Sequence, residues 1–318
     1  MRSTSSLSRR GFLGASAVGL GLGTSTAYSQ SLSYEDQPTT HWRVGLSLNT
    51  PVTCTNVRAT FPLPTNWPEQ TVTVRSQKID PHVSGWKLRD LGGGTKQVYL
   101  QMSKVLGGST AEFIFELDIE RSRILPPENT ETLVAPKKIS RDLRRLYMGN
   151  SPFIDASSRI IRSAAKEVEA LEADNDWHRV ELAYDWVRDH VEYTEGELTN
   201  ASVALKNGKG DCEEMTSLFV AICRNLNIPA RMVWIPDHCY PEFYLEDATG
   251  NGTWYPCQAA GTRQFGRMDE TRPVLQKGDR FRVPEKKTPV RYVSEFFQCD
   301  RKGRANPNPN FIRERVDV

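Results

Sequence analysis

Residues 208–234, GKGDCEEMTSLFVAICRNLNIPARMVW, constrain the fold of this chain more than any other stretch. After Cys212, apolar residues recur at Met215, Leu218, Phe219, Ile222, Cys223 and Leu226. That spacing describes one face of an α-helix and no other regular structure. Asp211 is placed to N-cap the helix, and Glu214, three residues on, to close a capping box. Gly208 and Gly210 allow close backbone approach just before it, and Pro229 stops it soon after Leu226. The pattern predicts a buried helix with Cys212 in its first turn.

A thiol in that position faces unpaired backbone N–H groups and the positive end of the helix dipole, which favour thiolate. The same amides can hydrogen-bond an oxyanion formed when the sulfur attacks a carbonyl. Asp211, Glu213 and Glu214 oppose thiolate by like charge, so a cationic His beside the sulfur is the expected compensation. A cysteine taken alone is more simply a small buried residue. Cys223, on the apolar face, is read that way. Cys212 differs in the company it keeps.

Downstream, the helical period gives way to three strand-like segments, ARMVWIP, HCYPEFYLED and GNGTWYPCQ, the last two joined by a turn near residues 249–252. Alternation puts His238, Tyr240, Glu242 and Tyr244 on one face. The order is a helix bearing Cys212, a strand opening at His238 and a strand ending near Gln258. A nucleophile, a base and an orienting group in that order suit thiol catalysis. Upstream, Ile160, Ile161, Ala164, Ala165, Val168 and Leu171 form one helical stripe, and Val180, Ala183, Tyr184, Val187 and Val191 a second. Asp155 and Asp176 are the expected caps. His178 and His190 fall on the charged faces. Residues 200–209 read as a loop leading back to Cys212.

Residues 33–131 alternate with period two in HWRVGLSLNT, TVTVRSQ, KQVYLQMSK and AEFIFELDIE, separated by Gly- and Pro-rich turns. They predict an antiparallel β-sandwich of six to eight strands, in which FPLPTNWPE, with three prolines, is a loop or an edge. Residues 125–138 form a polar, Pro-containing linker, and residues 300–318 read as a disordered or surface tail. Residues 1–29 contain SRRGFLG, which resembles the twin-arginine export motif, followed by a short apolar run and small residues near Ala27 and Ser29. The expectation is a cleaved leader and a periplasmic protein without a stable membrane span. At 318 residues, 38% hydrophobic and 25% charged, the chain suits about two soluble domains. Taking Arg2, Arg9 and Arg10 from its 41 basic residues leaves 38 against 39 acidic ones. That balance gives no reason to expect nucleic acid or an anionic membrane as partner.

The six cysteines (54, 212, 223, 239, 257, 299) contain no C-x-x-C pair. Cys239 and Cys257 beside His238 lack usual zinc-ligand spacing, so neither a metal nor another cofactor is expected. Twin-arginine clients fold in the reducing cytoplasm, which argues against a fold that depends on disulfides.

From about residue 147 to 293 the chain resembles the transglutaminase-like superfamily. The resemblance rests on SPFIDASSRII, AYDWVRDHVEY, the Cys212 block, HCYPEFYLED and WYPCQ. RPVLQKGDRFRVP with RYVSEF is similar to exported bacterial members. It implies an α+β fold whose papain-like transglutaminase core, helices plus antiparallel sheet over residues 139–299, follows an all-β sandwich domain. It also implies Cys212 as nucleophile and His238 as general base, then acid toward the leaving amine. The family's third position is usually Asp, and here the matching residue is Gln258; Asp237 and Asp247 do not fall there. A neutral amide can accept a hydrogen bond from the imidazole, as an Asn does in papain-type enzymes, but cannot stabilise imidazolium by charge. The oxyanion donors implied are the Cys212 amide and one side chain among Trp177, Trp186 and Asn200. The expected activity is acyl transfer on peptide or protein amides, to water in a peptidase or amidase and to a lysine amine in a transglutaminase, with hydrolysis favoured. Gln258 leaves an alternative open, a weak or inactive module that holds a peptide in its groove.

Overall fold

The structure, a computed structural model, describes residues 32–316. The leader read at residues 1–29 lies outside the described residues. Period-two alternation builds the first part: β1 (Ser33–Glu35), β2 (Thr40–Thr50), β3 (Thr53–Leu63), β4 (Gln70–Ile79), β5 (Val83–Asp90), β6 (Lys96–Val105), β7 (Ser109–Arg121) and β8 (Arg123–Leu125). β2 buries Val44, Leu46 and Leu48 and turns Asn49 outward; β7 buries Ala111, Phe113, Phe115, Leu117 and Ile119. Burying one set of alternate side chains is what sets the register of such strands.

Helices follow: α1 (Arg141–Tyr147), α2 (Arg159–Glu169) and α3 (Asp176–His190), then β9 (Glu192–Tyr193), α4 (Ala201–Asn207), β10 (Lys209–Gly210) and α5 (Cys212–Asn225). α2 and α3 bury most of the predicted stripes, but Ile160 is only half-buried, Leu171 lies beyond α2 and is exposed, and Val191 is buried just past the end of α3. Their N-caps are Ser158 and Asn175, not Asp155 and Asp176. Asp155 instead accepts from Ser202 N at 3.1 Å and from its hydroxyl, at the start of α4. α4 itself corrects the expected loop over 200–209. Seven residues burying only Ala201 and Ala204 are too few to show a helical period. α4 ends on Gly208, whose φ of 65° is the left-handed conformation that glycine adopts without strain.

The chain continues through β11 (Ala230–Ile235), β12 (His238–Glu246), β13 (Gly252–Pro256) and β14 (Gln276–Lys277) to β15 (Phe296–Lys302) and β16 (Asn308–Val316). β13, β12, β11 and β14, in that order, form an antiparallel sheet. One face of it, with Met232, Cys239, Phe243 and Leu245, packs against α2, α3 and α5 in the larger core. The other face, with Val233 and Tyr240, meets Ile124, Met268 and Val274. Residues 214–224 of α5 are buried throughout, so this helix is enclosed on all sides rather than along one stripe.

Two further antiparallel sheets, ordered β15-β3-β6-β5 and β16-β2-β7-β4, share a second core. The last strand of each pairing overturns the expectation of a disordered tail at 300–318: β15 pairs with β3 and β16 with β2 along its full length. Both are edge strands whose polar residues face water, and only Phe297, Cys299 and Phe311 pack inward. Their stability comes from main-chain hydrogen bonds to a neighbour, which hydropathy does not record. Pro62 is likewise inside β3, opposite Gln97. β15 stops at Thr60, so beyond it β3 is an edge, where proline is tolerated.

Candidate active site

The capping box at the start of α5 is formed as its sequence demands. Asp211 Oδ1 accepts from Glu213 N at 2.7 Å and Glu214 N at 3.3 Å, while Glu214 Oε2 accepts from Asp211 N at 2.9 Å. Glu214 Oε1 also accepts from Thr199 N at 2.8 Å, fixing the approach of the preceding segment. These bonds make Cys212 the first helical residue, where its N–H has no partner within the helix.

His238 is the first residue of β12, opposite Ile235, after a turn in which Asp237 has a φ of 56°. The β12–β13 pairing sets Glu242 against Pro256 and carries the chain to Gln258, whose Oε1 lies 3.0 Å from His238 Nε2. An amide oxygen can only accept, so Nε2 carries the proton and Nδ1 is left for Cys212. The Cys212 and His238 side chains lie close enough for each to shift the other's ionisation. The structure therefore brings together all three residues singled out in the sequence.

A hydrogen bond from the Cys239 thiol, and then the bond and charge of His238, push the Cys212 thiol down to about 5 against the opposing effects of burial and Asp211. Cys239 itself stays protonated, because burial and its bond to Cys212 raise its own ionisation well above the ordinary value. Burial disfavours a charged His238, but the bonds to Cys212 and Gln258 prevail and raise it above 6.5. Both shifts favour the charged forms, thiolate on Cys212 and imidazolium on His238.

Gln258 is held from behind by α3. Arg188 Nη1 donates to the carbonyls of Gln258 and Ala259 at 3.1 and 3.0 Å, and Nη2 to Gly261 O at 2.8 Å. Tyr184 donates its hydroxyl to the same Gln258 carbonyl at 2.9 Å and accepts from Gln264 N at 3.1 Å. Side chains fixed by such a surrounding shell hold their geometry through a reaction.

Two cavities flank the pair. One, of about 670 Å³, is lined by Val191, Tyr193, Met215, His238 and Gln258. The other, of about 310 Å³, contains Cys212, Cys239, Trp234, Arg291 and Arg313. Asp237 and His238 line both, while Cys212 lines the second alone.

None of the three side chains implied as oxyanion donors lines either cavity. Trp177 sits in an aromatic cluster with Phe243, Tyr255 and Phe265 at ring distances of 5.0–5.6 Å. Trp186 stacks on His190 at 3.8 Å, and Asn200 stands at the N-cap position of α4 without a side-chain capping bond. Residues not anticipated are Cys239, Tyr193, Arg188 and Tyr184. Cys239 was within reach of the alternation rule: with His238 on one face of the strand, its neighbour turns toward α5. The contacts of Arg188 and Tyr193 depend on tertiary packing and leave no local signal.

Residues 162–259 match the model of the transglutaminase-like superfamily. The fold is similar to that of a Cytophaga hutchinsonii protein described as a "putative cysteine protease". That similarity has a TM-score of 0.56 at 16% identity and covers 90% of this chain and 94% of the other. A "putative protease" from Parabacteroides distasonis aligns at a TM-score of 0.28 and 10% identity, over 73% of this chain and 48% of the other. No curated protein matches the chain. Among the described residues, no helix is long and apolar enough to cross a membrane.

Proposed function

We propose that the protein carries out thiol-dependent acyl transfer on peptide or protein amides. The observation that carries this reading is the placement of His238 between Cys212 and the Gln258 amide oxygen, on the wall of an open cavity that Cys212 also lines. Cys212 thiolate attacks the amide carbon. The oxyanion is held by the Cys212 N–H at the start of α5 and by the hydroxyl of Tyr193, which lines the cavity that His238 borders. Imidazolium gives a proton to the departing amine, forming a thioester on Cys212 and neutral imidazole. His238 then takes a proton from water as it attacks the thioester, releasing the acid and restoring the ion pair. Water is the acceptor in this reading; a lysine amine entering the same way would give an isopeptide.

Gln258 fixes the tautomer of His238 but adds no charge, so the thiolate is stabilised chiefly by its own neighbours, Cys239 and His238. The SRRGFLG motif further supports export by the twin-arginine route to the periplasm.

The test is the pH dependence of iodoacetamide alkylation at Cys212, in the unmutated protein and in His238→Ala. Alkylation should persist down to about pH 5 in the former. In His238→Ala it should move toward the ordinary thiol range near ~8.5. If both proteins alkylate alike and only as an ordinary thiol, the enzymatic reading fails and a peptide-binding module takes its place.

A further inference from the structure

We propose that Cys54 and Cys299 form a disulfide when the folded protein meets an oxidising compartment, fastening the end of the chain to the two-sheet core. The inference is independent of the catalytic reading. It concerns strands far in sequence and adjacent in space.

Cys54 lies in β3 and Cys299 in β15, the edge strand beside it. The β15–β3 register shifts between Gln298 and Asp300, so Cys299 sits at the irregularity. Its side chain packs against the core of the two sheets, beside Phe297 and Phe311. There its Sγ donates to Cys54 Sγ at 3.4 Å, while Cys54 also contacts Thr50 Oγ1 at 3.3 Å. Both thiols are free in the structure. Cys54 is fully buried and Cys299 partly exposed, so a reagent reaches the pair through Cys299.

Burial, then the bond to Cys54, pushes the Cys299 thiol up to about 11, so little thiolate exists at neutral pH. The pair is therefore slow toward chance oxidation and calls for a disulfide donor. In the first step Cys299 loses its proton and attacks the donor, forming a mixed disulfide and releasing one donor thiolate. In the second, Cys54 loses its proton and attacks the Cys299 sulfur, expelling the other donor thiolate, and the two released protons convert both to thiols. Two protein thiols are oxidised by two electrons and one donor disulfide is reduced to two thiols.

The bond would have a consequence at the cleft. β15 follows Arg291 and Tyr292, and β16 carries Arg313; all three line the cavity containing Cys212. Arg313 is ion-paired to Glu295, immediately before β15. Pinning β15 to β3 holds this wall in place, and it closes most of the chain into one loop, which restricts the unfolded state. Folding does not need the bond, because β15 and β16 are already paired with both thiols reduced.

The experiment exposes the folded, reduced full chain to oxidised glutathione and reads intact mass, disulfide-linked peptides and Tm. It uses the Cys212→Ala background, which removes the acidic thiol, with and without Cys299→Ser. The expected result is a loss of about 2 Da for two hydrogens, a peptide joining residues 54 and 299, and a Tm rise of at least about 4 °C. Cys299→Ser should show none of these changes. Peptide mapping of the chain with Cys299 intact stands alone, even if that variant folds poorly. Two free thiols after oxidation, a glutathione adduct left on Cys299, or a bond to any other cysteine would overturn the proposal.

Discussion

Strand β12 touches two clusters of perturbed ionisable groups, and they behave as opposites. At its start, His238 meets Cys212 on the wall of a cleft. Further along, Tyr240 and Glu242 enter a closed network with Lys277 at its centre. Lys277 Nζ lies 2.6 Å from Glu69 and 2.5 Å from Glu242; Glu242 also holds Arg231 at 2.7 Å, and Arg121 donates to Tyr240 at 3.1 Å. Every one of these side chains is buried. Burial by itself would raise the Glu69 carboxyl, but the charges of Lys277 and Arg121 outweigh it and hold the group down at about 2. Both clusters place opposite charges out of water. The closed one spends its valences on protein partners from β7, β11, β12 and β14, so it joins the two cores. The Cys212 site keeps its sulfur, whose ionisation is pushed down to about 5, on the wall of an open cavity. A displaced ionisation marks chemistry only where a reactant can reach it.

The contrast can be broken by exchanging the consequences of mutation. Cys212→Ala should lower turnover of a peptide amide by a factor on the order of 10⁴ or more while changing stability by less than about 1 kcal/mol. Lys277→Met should do the reverse. Leaving Glu69 and Glu242 buried without their cation should destabilise the protein by about 3–5 kcal/mol in chemical denaturation. Cys212 alkylation in the remaining folded fraction should be unaltered. A Lys277→Met protein of normal stability would show that the network is not the joint described.

pH sharpens the same comparison. Glu69 is lowered in the folded state, so its contribution is complete above the ordinary carboxyl value of 4.5 and disappears as pH falls toward about 2. Denaturation midpoints should therefore drop in that window, and in Lys277→Met much of this acid dependence should vanish. Turnover should rise through about pH 5 as Cys212 ionises. It should decline again somewhere above 6.5, where His238 loses the proton owed to the leaving amine.

Smaller effects are expected behind the site. Gln258→Ala should reduce kcat by about 10- to 100-fold and shift the alkaline limb downward, because it removes a bond that favours imidazolium. Arg188→Ala loosens the backbone that carries Gln258 and should cost roughly tenfold in kcat. It should shift the limb in the same direction as Gln258→Ala, and the double variant should lose less than the product of the two. A full product would mean that Arg188 acts independently of Gln258.

By itself the sequence determined the features that depend on neighbours along the chain. Cys212 falls at the head of α5 because a capping box and a 3.6-residue period coincide there, and both are local. Alternation in β2 and β7 marks their buried faces for the same reason. The order of Cys212, His238 and Gln258 along helix and strands was legible in the sequence, and the resemblance supplied their roles and the long-range pairing that the strands themselves do not reveal. The tertiary structure alone decided which distant segments share hydrogen bonds and charges. β15 and β16 are polar edge strands whose partners lie some 240 to 270 residues away. The Arg188 hold on Gln258, the Cys239 bond to Cys212 and the Lys277 network join groups whose value appears only when water is removed and a partner is placed. A side chain's charge can be read from its letter. Whether that charge is neutralised, strained or left facing a substrate is a property of the fold.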